Sequence, residues 1–147
     1  MSQETIVMAS DHAGYVLKDA LKEDLKTKGF DVLDLGSDGS ESVDYPDFGY
    51  ALANAIKEGK ASRGVLICGS GIGISISANR HPEIRAALVH DALGARMSRQ
   101  HNDANVICMG ERMIGIETAK DCLSVFLDTP FEGGRHQRRV DKLSAPT

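Results

Sequence analysis

A chain of 147 residues with 41% apolar and 26% charged side chains has the make-up of one globular domain able to bury its own core. A net charge of -4, no tryptophan and only 5% aromatics argue against a nucleic-acid surface or a base-stacking platform. No window approaches the roughly 18 uninterrupted apolar residues of a membrane span, and MSQETIVMAS lacks the basic-then-apolar pattern of a secretion signal. Cys68, Cys108 and Cys122 are odd in number and form no CxxC pair, so free thiols in a reducing, cytoplasmic setting are expected.

TIVMAS (5–10) reads as a first strand, followed by DHAG. In YVLKDALKEDLKTKG, Val16, Leu17, Ala20, Leu21 and Leu25 recur at helical spacing with lysines and acids between them, which predicts a surface helix closed by Gly29. FDVLDLG (30–36) predicts a second strand with an Asp on its wetter side, and SDGSESVDYPD a polar loop. Pro46 suits the first turn of the helix that continues through FGYALANAIKEG. GVLIC (64–68) predicts a strand buried on both faces, and ISISANR (74–80) the start of a helix. After the break at His81-Pro82, RAALVH (85–90) predicts strand four, DALGARMSRQHN a helix from Asp91, and NVICMG (105–110) strand five. IGIETAKDCLSVFLDT predicts a helix stopped at Pro130, FEGG a hinge, and RHQRRVDKL a final basic helix.

This alternation predicts an α/β fold: a doubly wound, five-stranded parallel sheet with helices on both faces, Rossmann-like, plus the C-terminal basic helix. The chain reads as a single domain, 1–147, in which 131–147 is an extension packing at a subunit interface. A switch point beside strands one and three brings Asp11-His12 next to Cys68-Gly69-Ser70.

Strand, glycine-rich turn and helix at 64–80 point several backbone N–H groups at one place. GSGIG (Gly69, Gly71 and Gly73) lacks the spacing of a dinucleotide fingerprint, and no GK[ST] follows; an anion hole and a plain tight turn remain. Cys68 is either one more core thiol or a thiolate at a helix start. Ser70 can donate to an oxyanion or simply cap the turn. Asp11-His12 can line a cleft, or be a helix cap and a satisfied imidazole. His101 lies in SRQHNDAN, a loop dense in polar groups; His81 and His90 read as structural or solvated. Cys68, His12 and His101 could in principle meet at a zinc ion, but none stands at a standard ligand spacing, so no metal is expected. Arg135 and Arg139, four apart, share a helix face and suit a phosphate, with Arg112 adding charge; a solubilising basic helix is the alternative.

ASDHAG (9–14), DYPDF (44–48), ICGSGIGISISANR (67–80), SRQHNDANV (98–106) and FEGGRHQRRV (131–140) together resemble the B-type ribose-5-phosphate isomerases, in the sugar-phosphate isomerase group that includes the galactose-6-phosphate isomerase subunits. The resemblance covers essentially the whole chain. It implies homodimers, often paired into tetramers, with the active site at the dimer interface, and interconversion of ribose 5-phosphate and ribulose 5-phosphate without metal or organic cofactor. Carried over by motif, Cys68 is the base between C2 and C1. Ser70 and the N–H groups from Gly71 to Ile74, in the turn with Gly69 and Gly73, hold the enediolate. Asp11 and His101 serve ring opening. His12, Arg135 and Arg139 hold the phosphate with help from Arg112, and Tyr45 and Asn102 line the sugar. The resemblance moves the phosphate away from GSGIG, where the turn alone would have put it. One branch of the family carries a glutamate base where this chain has Ile74, which implies the cysteine branch; Ser70 stands where threonine is also common. The alternatives are a six-carbon substrate (allose 6-phosphate or galactose 6-phosphate) and a non-catalytic sugar-phosphate binding protein.

Overall fold

The computed structural model describes residues 3–147. Five short apolar runs, each separated from the next by a helix long enough for a crossover, suit a parallel sheet. β1 (Thr5–Ser10), β2 (Asp31–Asp34), β3 (Arg63–Cys68), β4 (Ala86–Leu88) and β5 (Val106–Gly110) do so in the order β2-β1-β3-β5-β4. The helices are α1 (Tyr15–Thr27), α2 (Tyr45–Lys57), α3 (Ile72–Ala78), α4 (Ala92–Asn102), α5 (Ile116–Asp128) and α6 (Arg135–Leu143). The doubly wound expectation holds, with the switch between β1 and β3. The place of β5 inside β4 follows burial: every residue of β5 is buried, whereas β4 is three half-buried residues suited to an edge.

Strand alternation sorts the core into two layers. Ile6 and Met8 face α1 and α5 through Leu17, Leu21, Leu25, Leu123 and Phe126. Val7 and Ala9 face α2 and α3 through Leu52, Ala53, Ile74 and Ala78. Boundaries shift by small amounts. α2 begins at Tyr45 with Asp44 just outside and Pro46 in its first turn, and α3 begins at Ile72, inside the glycine-rich turn. No helix among the described residues is long and apolar enough to cross a membrane.

One feature differs from the sequence reading. Lys18, expected on the solvent face of α1, is fully buried. Its Nζ lies 2.8 Å from both carboxylate oxygens of Asp34 and 3.2 Å from Asp19, and Lys22 approaches Asp34 at 3.1 Å. Burial alone would raise Asp34, but the two lysines and the Gly36 N–H outweigh it and hold the carboxyl below its usual value. The same Gly36 accepts the Ser10 N–H at 2.7 Å, so this buried pair braces the residue before Asp11. Helix α6 also packs on its own chain. It is anchored on α4 by buried His136 and Val140, while Arg135, Arg138 and Arg139 stay exposed.

Candidate active site

β1 and β3 end side by side at the carboxyl edge of the sheet, with Ser10 opposite Ile67 and Cys68 opposite Gly110. Such edges at a switch point are where open α/β sheets hold ligands. A cleft of about 370 Å³ opens there, lined by Asp11, His12, Tyr45, Cys68, Gly69, Ser70, Gly73 and Arg112 among others. Eight of the residues singled out from sequence therefore converge.

Cys68 is 4% exposed, and its Sγ accepts the Gly71 N–H at 3.1 Å. Gly71 has φ 77°, and a Cβ there would come within 2.8 Å of the Met109 backbone carbon. Only glycine allows the turn that aims this N–H at sulfur. The Ile72 N–H donates to Ser70 Oγ at 3.1 Å, which leaves the Ser70 hydroxyl proton free to donate in turn. The expectation of free N–H groups from Gly71 to Ile74 is thus narrowed. Sulfur and Ser70 take the first two, and those of Gly73 and Ile74, in the first helical turn, lack intrahelical acceptors. The Ile74 side chain is buried in the core, away from the cleft. The Tyr45 ring lies over Gly73, where a Cβ would meet it at 2.6 Å.

Asp11 is nearly buried, and its Oδ1 accepts the Ala13 N–H at 2.9 Å. His12 Nδ1 accepts the Val43 N–H at 3.2 Å, so in the neutral ring the proton sits on Nε2. The β5–α5 loop is tied to the glycine-rich turn: Glu111 N–H donates to Cys68 O and Arg112 N–H to Gly69 O, both at 3.0 Å. Glu111, which the sequence reading missed, also accepts the Leu17 N–H at 2.7 Å and so caps α1 from across the fold. Nothing in MGER signals this, because the partner lies 94 positions away.

The three thiols differ. Burial, with Cys68 beside it, pushes Cys108 far up, and burial pushes Cys122 up to about 11 with Asp121 and Asp91 adding to it. Only Cys68 opens on the cleft.

The other predicted residues lie elsewhere. α4 leaves β4 at the carboxyl edge and returns to the amino edge, so His101 and Asn102, in its last turn, reach the opposite end of the sheet. Asn102 lines a separate cleft of about 300 Å³ with Arg85, Ala86 and Leu143. All of β5 runs between the two ends, a rise of about 15 Å or more at ~3.3 Å per residue. Within one chain, therefore, Cys68 and His12 are not brought together with His101. His101 instead stacks on His136, with ring centroids 4.5 Å apart and planes at 16°. Glu132 Oε1 lies 4.0 Å from His101 Nε2 and 3.7 Å from His136 Nε2. Burial, together with His101 and Arg135, holds His136 below the ordinary imidazole range against the pull of Glu132. Arg135 and Arg139 form no ion pair with another described residue.

A family model described as Ribose/Galactose Isomerase matches residues 6–143. The chain is 42% identical over 140 residues to ribose-5-phosphate isomerase B of Escherichia coli, covering 95% of this chain and 94% of that one. It is 44% identical to D-erythrulose-4-phosphate isomerase of Pectobacterium atrosepticum over 95% of this chain and 92% of that one. The solved structure of Clostridium thermocellum ribose-5-phosphate isomerase B superposes with a TM-score of 0.94 at 50% identity, covering 95% of each chain.

Proposed function

The chain belongs to the ribose/galactose isomerase family, and from that we propose that it interconverts D-ribose 5-phosphate and D-ribulose 5-phosphate at a site shared between two copies of the chain. The observation that carries the chemistry is Cys68 at the strand end: its sulfur faces the cleft with a backbone N–H directed at it. A fixed donor of this kind supports negative charge on sulfur. The phosphate docks first, on His12 Nε2–H and Arg112 of one chain and on Arg135 and Arg139 of the second. Asp11 and the partner's His101 exchange protons with the ring oxygen and the C1 hydroxyl, and the furanose opens. The Cys68 thiolate then takes the C2 proton of the open aldose. The electron pair moves through C2–C1, and charge collects on the former carbonyl oxygen, O1. The Ser70 hydroxyl and the N–H groups of Gly73 and Ile74 meet that charge, which exists only during the reaction. The thiol returns its proton to C1 and the O2 proton is lost to the O1 side, which gives the ketose. Tyr45 and the partner's Asn102 flank the sugar.

The shared site is supported by the split just described. Cys68 and Asp11 stand at the carboxyl edge, while His101, Asn102, Arg135 and Arg139 stand at the amino edge of the same chain. Exposed apolar side chains on α3 (Ile72 and Ile76) and α4 (Leu93 and Met97) offer a surface for a second copy. Two-fold symmetry makes one such contact supply both sites.

The test is aldose–ketose interconversion on erythrose 4-phosphate, ribose 5-phosphate and allose 6-phosphate, with chelator present, for wild type and Cys68→Ala. Turnover of the five-carbon sugar that survives chelator and is lost in C68A, with substrate binding retained, is expected. Most of the turnover surviving in C68A would remove Cys68 as the base. A preference for the four- or six-carbon sugar would change the substrate and keep the mechanism. No turnover of any sugar by folded protein would point to a binding protein.

A further inference from the structure

We propose that His101, Glu132 and His136 form a binding site for a transition-metal ion of the zinc class, and that filling it blocks ring opening. The second half rests on the role given to His101 above.

Three elements build the cluster: the last turn of α4 supplies His101, the segment before α6 supplies Glu132, and the first turn of α6 supplies His136. One ligand atom from each lies within 4.8 Å of the others. Zinc–nitrogen and zinc–oxygen bonds of about 2.0–2.2 Å require ligand atoms roughly 3.3–3.6 Å apart. The Glu132–His136 and Glu132–His101 separations of 3.7 and 4.0 Å are within a few tenths of an ångström of that. The ion must lie near the plane of each ring, so the two imidazoles have to splay out of their stack. His101 is about one-third exposed and Glu132 about half exposed, so both can turn, while buried His136 is the fixed point. None of the three ligand groups has a hydrogen-bond partner among the described residues, so metal binding would displace no existing bond.

Two imidazoles and one carboxylate suit Zn²⁺, Co²⁺ or Ni²⁺ and suit Mg²⁺ and Ca²⁺ poorly. Three protein ligands also leave a position open for water. Arg135 and Arg139 lie close enough to act on His136, and their charge works against a cation. The site is therefore one that fills and empties rather than a permanent structural centre. A metal on His101 Nε2 takes the lone pair that ring opening needs. The chelator-independent chemistry proposed above is unaffected, because here the ion is an inhibitor and not a cofactor.

Metal-free protein would be titrated with Zn²⁺ and Mg²⁺ by calorimetry and with Co²⁺ by visible absorption, for wild type, Glu132→Gln and His136→Asn. The expected result is one Zn²⁺ per chain, no Mg²⁺, and a Co²⁺ spectrum without a sulfur-to-metal charge-transfer band. Both variants should weaken Zn²⁺ on the order of 100-fold. Melting without metal checks each fold; Glu132 is exposed, so E132Q stays informative if the buried histidine tolerates no replacement. Unchanged Zn²⁺ affinity in E132Q, or a sulfur band from Cys68, overturns the site. Turnover is read separately: saturating Zn²⁺ should abolish it in wild type, chelator should restore it, and E132Q should resist. Zinc bound here with turnover untouched would leave the site standing and overturn the role of His101 in ring opening. Zinc bound here by a chain that turns over no sugar phosphate would overturn the proposed function and not the site.

Discussion

Two broken chains should make one working enzyme. Cys68→Ala removes the proposed base from one end of the chain, and His101→Asn removes the proposed ring-opening group from the other. Cys68 and His101 are separated by the length of β5, about 15 Å or more, so no side-chain motion within one chain brings them to one sugar. In a mixed dimer, Cys68 of the H101N chain meets His101 of the C68A chain. That site is whole, and the other site of the same dimer lacks both groups. Random reassociation of equal amounts makes half the dimers mixed, each with one good site in two, so about one quarter of wild-type turnover per chain should return. The assay is ketose formation from ribose 5-phosphate after the two variants are co-expressed or refolded together, with size measurements showing that each variant assembles alone. If the mixture stays at the mean of its inactive parents although mixed dimers are present, the shared site is refuted.

Other expectations follow from single residues. Alkylation near neutral pH should label Cys68 and spare Cys108 and Cys122, whose thiols burial holds high; bound substrate should slow it, and equal labelling of all three would contradict the described core. Asp34→Asn leaves Lys18 buried with only Asp19 in reach and should destabilise the fold by about 3 kcal/mol in a denaturant titration at neutral pH. Because the Asp34 carboxyl is held below its ordinary 3.8, its contribution is complete above that value and lost as pH falls through the lowered one. The gap between wild type and D34N should therefore close only below about pH 4; a gap that closed near neutrality would assign it to another group. Arg139→Ala should raise KM for ribose 5-phosphate and leave kcat the less affected; an unchanged KM would remove Arg139 from the phosphate site.

The fold was legible because each strand and helix carries its own period, and the short crossovers admit little besides a parallel sheet. The carboxyl-edge half of the candidate site was legible for the same reason: Asp11, His12, Cys68 and Ser70 all sit at strand ends, and strand ends of a parallel sheet meet in one cleft. What sequence could not supply was direction in space. His101 reads as a polar loop residue on the same footing as Asp11, yet the return of α4 carries it to the other end of the sheet. Lys18 was misread because helical spacing counts a lysine as solvated unless its partner is known, and Asp34 lies on another element. Glu111 was invisible on the same ground: a cap donated across the fold leaves no local pattern.

The placement of charge explains why a single chain should be a poor catalyst even with its base in place. Among the residues lining one cleft, Arg112 is the only permanent cation and Asp11 adds a carboxylate, on a chain of net charge -4. A sugar phosphate carries close to two negative charges at neutral pH, and in the proposed mechanism the binding energy of that group holds the reacting carbons against Cys68. The further cations, Arg135 and Arg139, sit exposed on α6 and form no ion pair among the described residues. In the proposed dimer they arrive with the partner, together with His101. Phosphate binding, ring opening and subunit contact then become one event. A mutation at the apolar strip of α4, such as Met97→Glu, should accordingly raise KM and lower kcat together as the dimer weakens, with Cys68 and its turn intact. Unaltered kinetics from a variant shown by sizing to be monomeric would contradict this account.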